Sequence, residues 1–522
     1  MALSLSTMST GEPNTPESSD ARGAFSAFAF LWAAAALFEY AGAIQRVGPL
    51  ALTLIVVFGR LAAVWVLARP ASAFRLLVLC GALIAIIVAK LPKGPNHGIL
   101  VLVASATVIL AAARVMAASR NWRIPAAELY AAFAPALRWE LLALYFWAVF
   151  QKLNSDFILV DLSCGPAQVW NLHRVLDFLP ESQMLRTFGV HGTLLVEAGI
   201  PCLLLFRTTR YFGVALAIGF HFTLGANYTG FSAMLFAMLS LFLPGRFYAS
   251  LSTIFGRVSS GITTAGQRAL RVLDTALGFT VIGVGTVAVI VAVFFSKASS
   301  VLAGPAWIDA QLLLALWFLY GTAVTVLFAL GAWAARPWNT GERAQLRFRY
   351  VSLAIMPLLV FANGLAPHLG LKNAQVFAMF SNLHTHGGQS NHLFIPGSWQ
   401  RWDHLGDLVT IHESNDPVLA KMVGRSWKTF NYFSTYVVDR PRMERTQPAP
   451  QWRLPYLALR RRITDLADSG RTNVELVYER AGVIRRLEHA ETDPELSSLP
   501  WLARKFLLLR AIPDTSRGYC MW

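Results

Sequence analysis

Long apolar runs separated by short, arginine-rich loops dominate the first 367 residues. Most runs are long enough to cross about 30 Å of hydrocarbon as a helix, and the shorter ones can be tilted or partly re-entrant. The runs lie at 24–44, 48–68, 76–91, 98–118, 139–151, 190–206, 211–226, 230–244, 274–296, 307–335 and 350–367. This pattern predicts an all-α polytopic membrane domain of about eleven spans.

The two ends of the chain have other patterns. Residues 1–23 are rich in Ser, Thr, Glu and Pro and predict a disordered cytoplasmic tail. No basic segment precedes the first apolar run, so we expect a retained span and not a cleaved signal peptide. Residues 368–522 contain the strand-like runs HLFIP, DLVTIHE and FNYFSTYVV, and a hairpin pattern around Ala481 and Gly482. With the amphipathic runs RLPYLALRRRITDLADSG and LPWLARKFLLLRAI, they predict a small α+β domain.

Composition and loop charge give a location and an orientation. The chain is 55% hydrophobic and only 14% charged, which indicates an integral membrane protein, and we expect it in a bacterial inner membrane. When alternate loops are assigned to two sides, seventeen Lys and Arg fall on one side and seven on the other. The positive-inside rule then places the N-terminus in the cytoplasm and residues 368–522 outside it. Arginines beside spans account for much of the net charge of +16, so we expect no nucleic acid partner.

The four cysteines are Cys80, Cys164, Cys202 and Cys520. They are far apart, they lie mostly in or beside apolar runs, and they include no CxxC spacing. The sequence therefore predicts neither a disulfide framework nor a zinc site, and in particular no link among the first three.

Several ionisable residues stand at membrane depth, where such groups are usually paired and internal. Glu39 and Arg60 lie on neighbouring predicted helices, and we expect them to form an ion pair. Glu140 and Glu197 lie in later spans. His221 stands in the middle of FGVALAIGFHFTLGANY, where an imidazole needs a hydrogen-bond partner from another helix or from a ligand.

Lys152 is the most informative of these groups. The apolar helix LLALYFWAVF runs directly into Gln151, Lys152 and Asp156, at the C-terminal end of a membrane helix. A low-dielectric environment favours the neutral amine, and a neutral amine can act as a base. The alternative is a lysine that extends its methylenes to the headgroups and takes no part in chemistry.

Three sequence blocks carry a resemblance to a known family. They are YFWAVFQKLNSDF, the VHG of residues 190–192, and FHFTLGANYTGFSAMLFAMLSLFLP of residues 220–244. In order and spacing they resemble the membrane (HTTM) domain of vitamin K-dependent gamma-carboxylases and their bacterial relatives. The likeness covers residues 24–245 and leaves 246–367 as additional transmembrane helices.

The resemblance implies a reaction and a set of site residues. Lys152 matches the base that deprotonates reduced vitamin K or another quinol; O2 then gives an epoxide and a strong base, and CO2 adds to the carbanion that this base creates. His221 stands where the family also has a histidine, and the resemblance implies a catalytic role for it beside Lys152. The expected substrate-binding residues are Asn96, His97, Asp156, His191 and Glu197. The animal enzymes carry a second Asn-His where this chain has residues 113–116, ARVM, so the resemblance supports quinol deprotonation more strongly than carboxylation.

The stretch SNLHTHGGQSNHLFIPGSWQRWDHLGDLVTIHE concentrates histidines and acids, but its spacing does not predict a metal site. We expect the outer lip of the membrane pocket to be formed by Gly387, Gly388, Asn391, Trp399 and Trp402. The expected partners are membrane lipid, a quinone and an extracytoplasmic peptide or protein substrate. A non-enzymatic quinone or lipid carrier, or an immunity-like factor, remains the alternative, whereas a transporter is disfavoured because the sequence shows no internal repeat.

Overall fold

A computed structural model describes residues 16–40, 50–92, 94–166, 169, 182–251, 306–335, 346–428, 430–433, 444, 447–515 and 520. Its membrane part is built from helices, and a small antiparallel sheet lies near the C-terminus. The predicted span at 274–296 lies outside the described residues.

The helices of the membrane part follow the predicted apolar runs. They are α1 (Pro16–Tyr40), α2 (Leu50–Ala68), α3 (Ala73–Lys90), α4 (Asn96–Ser119), α5 (Ala126–Phe150), α6 (Ser155–Ile158), α7 (Gln183–Leu205), α8 (Arg210–Leu224), α9 (Thr229–Ser240), α10 (Ala306–Ala334) and α11 (Ile355–Leu365). In the described part of the chain, six helices are long and apolar enough to cross a membrane, or seven if the bent pair Thr229–Ser240 and Gly245–Leu251 forms one span. A polytopic helical architecture is therefore confirmed, whereas the number eleven is not.

Two helices begin earlier than the hydropathy pattern predicts. The first starts at Pro16, so residues 16–23 are helical and the prediction of a disordered tail over that stretch is wrong. Proline suits the first turn of a helix, and Gly23 packs closely against Tyr248. The other, α5, starts at Ala126, although polar Arg138 and Glu140 interrupt its apolar pattern.

The polar groups inside α5 are satisfied by neighbouring helices. Arg138 Nε donates to the carbonyl of Leu241 at 2.7 Å, and Thr107 Oγ1 donates to Glu140 Oε1 at 2.5 Å. Helix α5 also packs against α1, α4, α7 and α11. It is therefore the central helix of the bundle, and its C-terminal end carries Lys152.

Residues 375–395, here called the cap segment, cover the end of α5 and the short helix α6. Asn382 Oδ1 accepts from the Cys164 amide at 2.7 Å, and His392 Nε2 lies 2.8 Å from the carbonyl of Phe150. Asn154 pairs with His392 in an isolated β-bridge. The run HLFIP, which was predicted to be a strand, thus forms only this bridge at His392. None of its residues belongs to the C-terminal sheet.

The C-terminal sheet contains β1 (Leu408–Ser414), β2 (Trp452–Pro455), β3 (Leu476–Arg480), β4 (Val483–Leu487) and β5 (Ile512–Pro513). All pairings are antiparallel, in the order β4-β3-β1-β2-β5. The predicted hairpin is confirmed, because Ala481 and Gly482 connect β3 to β4 with φ of 51° and 79°. The strand predicted from DLVTIHE is confirmed as β1.

The helices beside the sheet are α12 (Tyr456–Asp468) and α13 (Trp501–Phe506). The first agrees with the prediction and is followed by Gly470 at φ 73°. The second is much shorter than LPWLARKFLLLRAI suggests, because Leu508 and Leu509 leave the helix and are buried. The run FNYFSTYVV, residues 430–438, forms a 3₁₀ turn at Asn431–Phe433, and its residues 434–438 lie outside the described part of the chain.

Candidate functional site

Lys152 lies in the turn that connects α5 to α6. Its side chain is only 6% exposed, and its Nζ donates to the carbonyl of Ala148 at 3.0 Å. Asn154 fixes the turn, since its Oδ1 accepts from the amides of Asp156 and Phe157 at 3.1 and 2.8 Å. A snorkelling lysine extends toward the headgroups, whereas this one is folded back along its own helix into the protein.

Glu197 is the ionic partner of Lys152. The distance from Lys152 Nζ to Glu197 Oε2 is 2.7 Å, and the glutamate side chain is 11% exposed. Glu197 comes from α7, so the pair joins two helices. Removal of one member would leave the other as a buried charge, which is far more costly than the loss of an exposed pair.

Tyr145 and His221 form a second polar pair near the first. Tyr145 Oη lies 2.7 Å from His221 Nε2, and both side chains are buried. His221 Nδ1 is buried as well and has no hydrogen-bond partner in the described part of the chain. Tyr145 lies three positions before Ala148 along the chain, and Ala148 lies four positions before Lys152. These spacings place all three on one face of α5.

These four polar side chains line one cavity, here called the Lys152 cavity. It contains about 810 Å³ of empty space out to its opening. Its remaining walls are mostly apolar and aromatic, and they include Phe157, Phe220, Phe231, Phe377 and Phe380. Lys152 Nζ lies 5.9 Å from the centroid of the Phe157 ring. The cavity therefore offers an apolar space with two polar pairs on its wall.

The structure brings Lys152, Glu197 and His221 together, but it places the other expected site residues elsewhere. His97 Nε2 lies 2.8 Å from Glu39 Oε2, and its ring centroid is 5.5 Å from that of Phe231. His97 is thus separated from the Lys152 cavity by one aromatic ring. The ion pair that the structure shows at Glu39 is with this histidine, where the sequence suggested Arg60.

The remaining expected residues do not line the cavity. Asn96 is buried at the first position of α4. Asp156 Oδ2 accepts from Asn391 Nδ2 at 2.8 Å and so holds the cap segment. His191 is exposed on α7. Trp399 is 50% exposed in a 3₁₀ turn, and neither it nor the other residues expected at the lip line the cavity.

The C-terminus reaches the rim of the same cavity through a disulfide. Cys164 lines the cavity and is bonded to Cys520, across 356 residues of sequence. Cys80 and Cys202 are free. The expectation that the cysteines form no disulfide framework is wrong for this pair, because the fold brings together two positions whose separation gives no sign of contact. No link joins Cys80, Cys164 and Cys202.

In the described residues, histidines of the histidine-rich stretch contact other histidine rings in pairs and do not form a metal centre. The ring centroids of His384 and His386 are 3.5 Å apart, and those of His368 and His392 are 5.0 Å apart. No group of three or more His, Cys, Asp or Glu in the described ranges is arranged to hold a metal ion. His412 lies apart on β1, 3.1 Å from Glu479 Oε2.

Sequence reasoning missed Tyr145, although a signal was present. It stands seven residues before Lys152, a spacing that keeps two side chains on the same helix face. For the cap segment the sequence suggested only a lip at Gly387, Gly388 and Asn391. Its contacts with Asn154 and Cys164 were missed, because they join positions more than 200 residues apart.

The chain matched no protein-family model, no curated protein and no solved structure with which it was compared. The resemblance to the carboxylase membrane domain therefore rests on the three sequence blocks alone.

Proposed function

We propose that this protein is an integral membrane enzyme that deprotonates a hydroquinone lipid with Lys152 and promotes its oxygenation to an epoxide. The observation that carries the proposal is the buried Lys152–Glu197 pair in the wall of a largely apolar, aromatic cavity. Burial of an amine in such a cavity costs free energy, because the amine loses its hydration. Buried ionisable groups in membrane proteins therefore usually mark functional sites.

The cavity suits a quinol by shape and by chemistry. A quinol has a flat aromatic ring, hydroxyl groups to be recognised and an apolar tail. The phenylalanines offer faces and edges for stacking on the ring. Lys152, Glu197, Tyr145 and His221 offer the donors and acceptors that the hydroxyls need. Few other polar groups line the cavity, which favours a ligand that is apolar over most of its surface.

Each polar residue has a defined role in this proposal. Lys152 in its neutral form takes the hydroxyl proton. Glu197 and the carbonyl of Ala148 hold the amine in place. His221, held by Tyr145, presents Nδ1 to the substrate. Overall, the quinol loses two hydrogens and gains one atom of O2 as the epoxide oxygen, while the other atom leaves as water.

The surroundings support a reaction that water would quench. The cap segment covers the outer end of α5, and the disulfide ties the C-terminus to the cavity rim. Exclusion of water preserves strongly basic species and strengthens electrostatic interactions. In the proposed orientation, the cavity opens toward the extracytoplasmic face, where a peptide or protein acceptor for CO2 would be met.

The direct test is product analysis with purified protein in detergent. Vitamin K hydroquinone and O2 are supplied, with and without CO2, and the epoxide is measured by mass spectrometry. Epoxide formation by the wild type and its loss in Lys152→Arg support the proposal. Lys90→Arg is a matched control, because Lys90 also ends a membrane helix but does not line the cavity. Absence of epoxide from the wild type contradicts the proposal.

A carrier without chemistry is the second candidate. It is favoured by the direct contact of Lys152 with Glu197, because the amine already has an ionic partner in the absence of a substrate. A carrier would bind the quinone form as tightly in Lys152→Arg as in the wild type and would yield no epoxide. Binding without product thus identifies the carrier.

A further inference from the structure

A second cavity lies between the end of the membrane bundle and the C-terminal sheet. Residues lining it include Pro367, Asn373, Ser381, Asn382, Thr385, His386 and Arg510, and its empty space is about 450 Å³ out to its opening. It shares no lining residue with the Lys152 cavity. The cap segment forms a wall of both, since Phe377 and Phe380 face one cavity while Ser381 and Asn382 face the other. We call it the Arg510 pocket.

Arg510 supplies a positive charge to this pocket. Its backbone amide donates to Asn373 Oδ1 at 2.8 Å, which fixes the chain just before β5. Its Nε is buried without a hydrogen-bond partner, and no carboxylate of the described residues lies within ion-pair distance of the guanidinium. Burial lowers the pKa of Arg510 to about 10, so the side chain remains charged at neutral pH.

His386 supplies a polar atom to the same pocket. The residue is only 5% exposed, and its Nε2 is buried without a partner in the described part of the chain. Burial and the neighbouring His384 and Arg453 lower the pKa of His386 well below its usual value. The ring is therefore neutral, and in the tautomer protonated on Nε2 it has one hydrogen bond to donate to a ligand in the pocket.

A half-buried guanidinium whose Nε is buried without a partner, and a buried imidazole without a hydrogen bond, are both costly. An anion would satisfy both. The guanidinium presents N–H groups in a planar fork, which matches the two coplanar oxygens of a carboxylate. A phosphate dianion usually requires more charge than one arginine and a neutral histidine provide.

We propose that the Arg510 pocket binds a carboxylate group, with Arg510 and His386 as its donors. The source is either a small free carboxylate or the carboxylate of a peptide at the outer face. The proposal does not depend on quinol chemistry, since it concerns a separate cavity.

Equilibrium dialysis of the full-length protein in detergent tests this site. The probes are labelled acetate, a tripeptide with a free C-terminal carboxylate, the same tripeptide as its amide, and inorganic phosphate. We expect saturable binding of one acetate or one free-acid tripeptide per chain, and no comparable binding of the amide. Tighter binding of the tripeptide than of acetate identifies a peptide as the source, and equal binding identifies a free carboxylate. Preferential binding of phosphate would overturn the carboxylate assignment.

Two arginine variants make the test specific. Arg510→Gln should weaken carboxylate binding roughly tenfold or more, as expected for the loss of a charge-assisted hydrogen bond. Arg401→Gln removes the same charge from an exposed residue that does not line the pocket, and it should bind like the wild type. His386→Gln, which leaves the guanidinium in place, should weaken binding to a smaller degree and serves if Arg510→Gln does not fold. Unchanged acetate binding in both Arg510→Gln and His386→Gln would refute the site.

Discussion

At the scale of single residues, Tyr145 connects two groups that the sequence suggested separately. Its hydroxyl contacts His221 Nε2, and it lies on the face of α5 that also carries Lys152. The tyrosine therefore fixes which imidazole nitrogen faces the cavity. The positions of Lys152, Glu197 and His221 were predictable, because charged and imidazole groups at membrane depth are conspicuous. The role of Tyr145 was not, because an aromatic residue in an apolar helix is common and its partner lies on another helix.

The first prediction concerns Lys152. Lys152→Arg should lower quinol-dependent oxygenation by roughly 10² to 10⁴-fold, because a guanidinium can hold Glu197 but does not give up its proton. Epoxide formation under single-turnover conditions is the measurement. Full activity in this variant would eliminate Lys152 as the base.

The matching control must respect the buried pair. Lys152→Ala alone leaves the Glu197 carboxylate without its partner and is expected to destabilise the protein. The double variant with Lys152→Met and Glu197→Gln removes both charges at similar volume and should remain folded but inactive. Normal elution on size-exclusion chromatography, with no epoxide, is the expected result.

The second prediction concerns His221. His221→Ala should lower the same rate by about 10²-fold, since one positioned polar group typically contributes this much. Tyr145→Phe removes only the hydroxyl that holds the imidazole, so it should have a smaller effect in the same assay. An equal or larger loss in Tyr145→Phe would assign the direct role to the tyrosine.

At the scale of elements, the hairpin and the cap segment differ in how their structure is encoded. The hairpin β3–β4 follows from local alternation and from Gly482, which tolerates the positive φ of the turn. The cap segment has no regular backbone pattern, and Gln375, Phe377 and Asn382 also adopt positive φ. Its shape depends on contacts with residues distant in sequence, such as Asn154 and Leu162, so it could not be predicted from the local sequence.

The third prediction is that acid opens the cap segment. Burial lowers the pKa of His384 from 6.5 to about 4; the nearby Arg453 acts in the same direction and Asp156 opposes it. The folded state thus binds fewer protons than the unfolded state between these two values. Stability that is present above pH 6.5 is lost as the pH falls toward 4, by up to about 3 kcal/mol for this shift.

Hydrogen exchange of peptides covering 381–395, corrected for the intrinsic effect of pH, measures this opening. Exchange should rise between pH 7.5 and 5.0 in the wild type and rise less in His384→Gln. His412→Gln is the control, because His412 lies on β1 and is 40% exposed. A pH response that is the same in all three proteins would contradict the assignment to His384.

At the scale of the whole molecule, the disulfide and the loop charges agree on one orientation. Disulfides persist in oxidising compartments outside the cytoplasm, which would place Cys164 and Cys520 on the outer side. The excess of basic residues in the opposite loops points the same way. The helical membrane architecture was predictable, because long apolar runs can be recognised from residue composition alone. The number of spans was harder to predict, because hydropathy does not distinguish short or bent helices such as α9 from full spans.

The fourth prediction is a cytoplasmic N-terminus and an extracytoplasmic C-terminus. A reporter that is active only in the cytoplasm should be silent when fused after Trp522 and active when fused before Met1. Mass mapping without reduction should find Cys164 linked to Cys520, and Cys80 and Cys202 as thiols. A bright C-terminal fusion would reverse the orientation.

The bond between Cys164 and Cys520 also determines how the protein would respond to mechanical force. If the molecule is pulled by its two ends, the force passes through the disulfide from Cys164 to Cys520. The chain between these two cysteines, which are 356 positions apart, then bears no load. At about 3.5 Å per extended residue, roughly 570 Å of chain from the N-terminal side could be drawn out, against roughly 1,800 Å for the reduced chain. Helices α7–α11 and the whole C-terminal sheet would thus be shielded from tension applied at the termini, whereas α1–α6 precede Cys164 and would not.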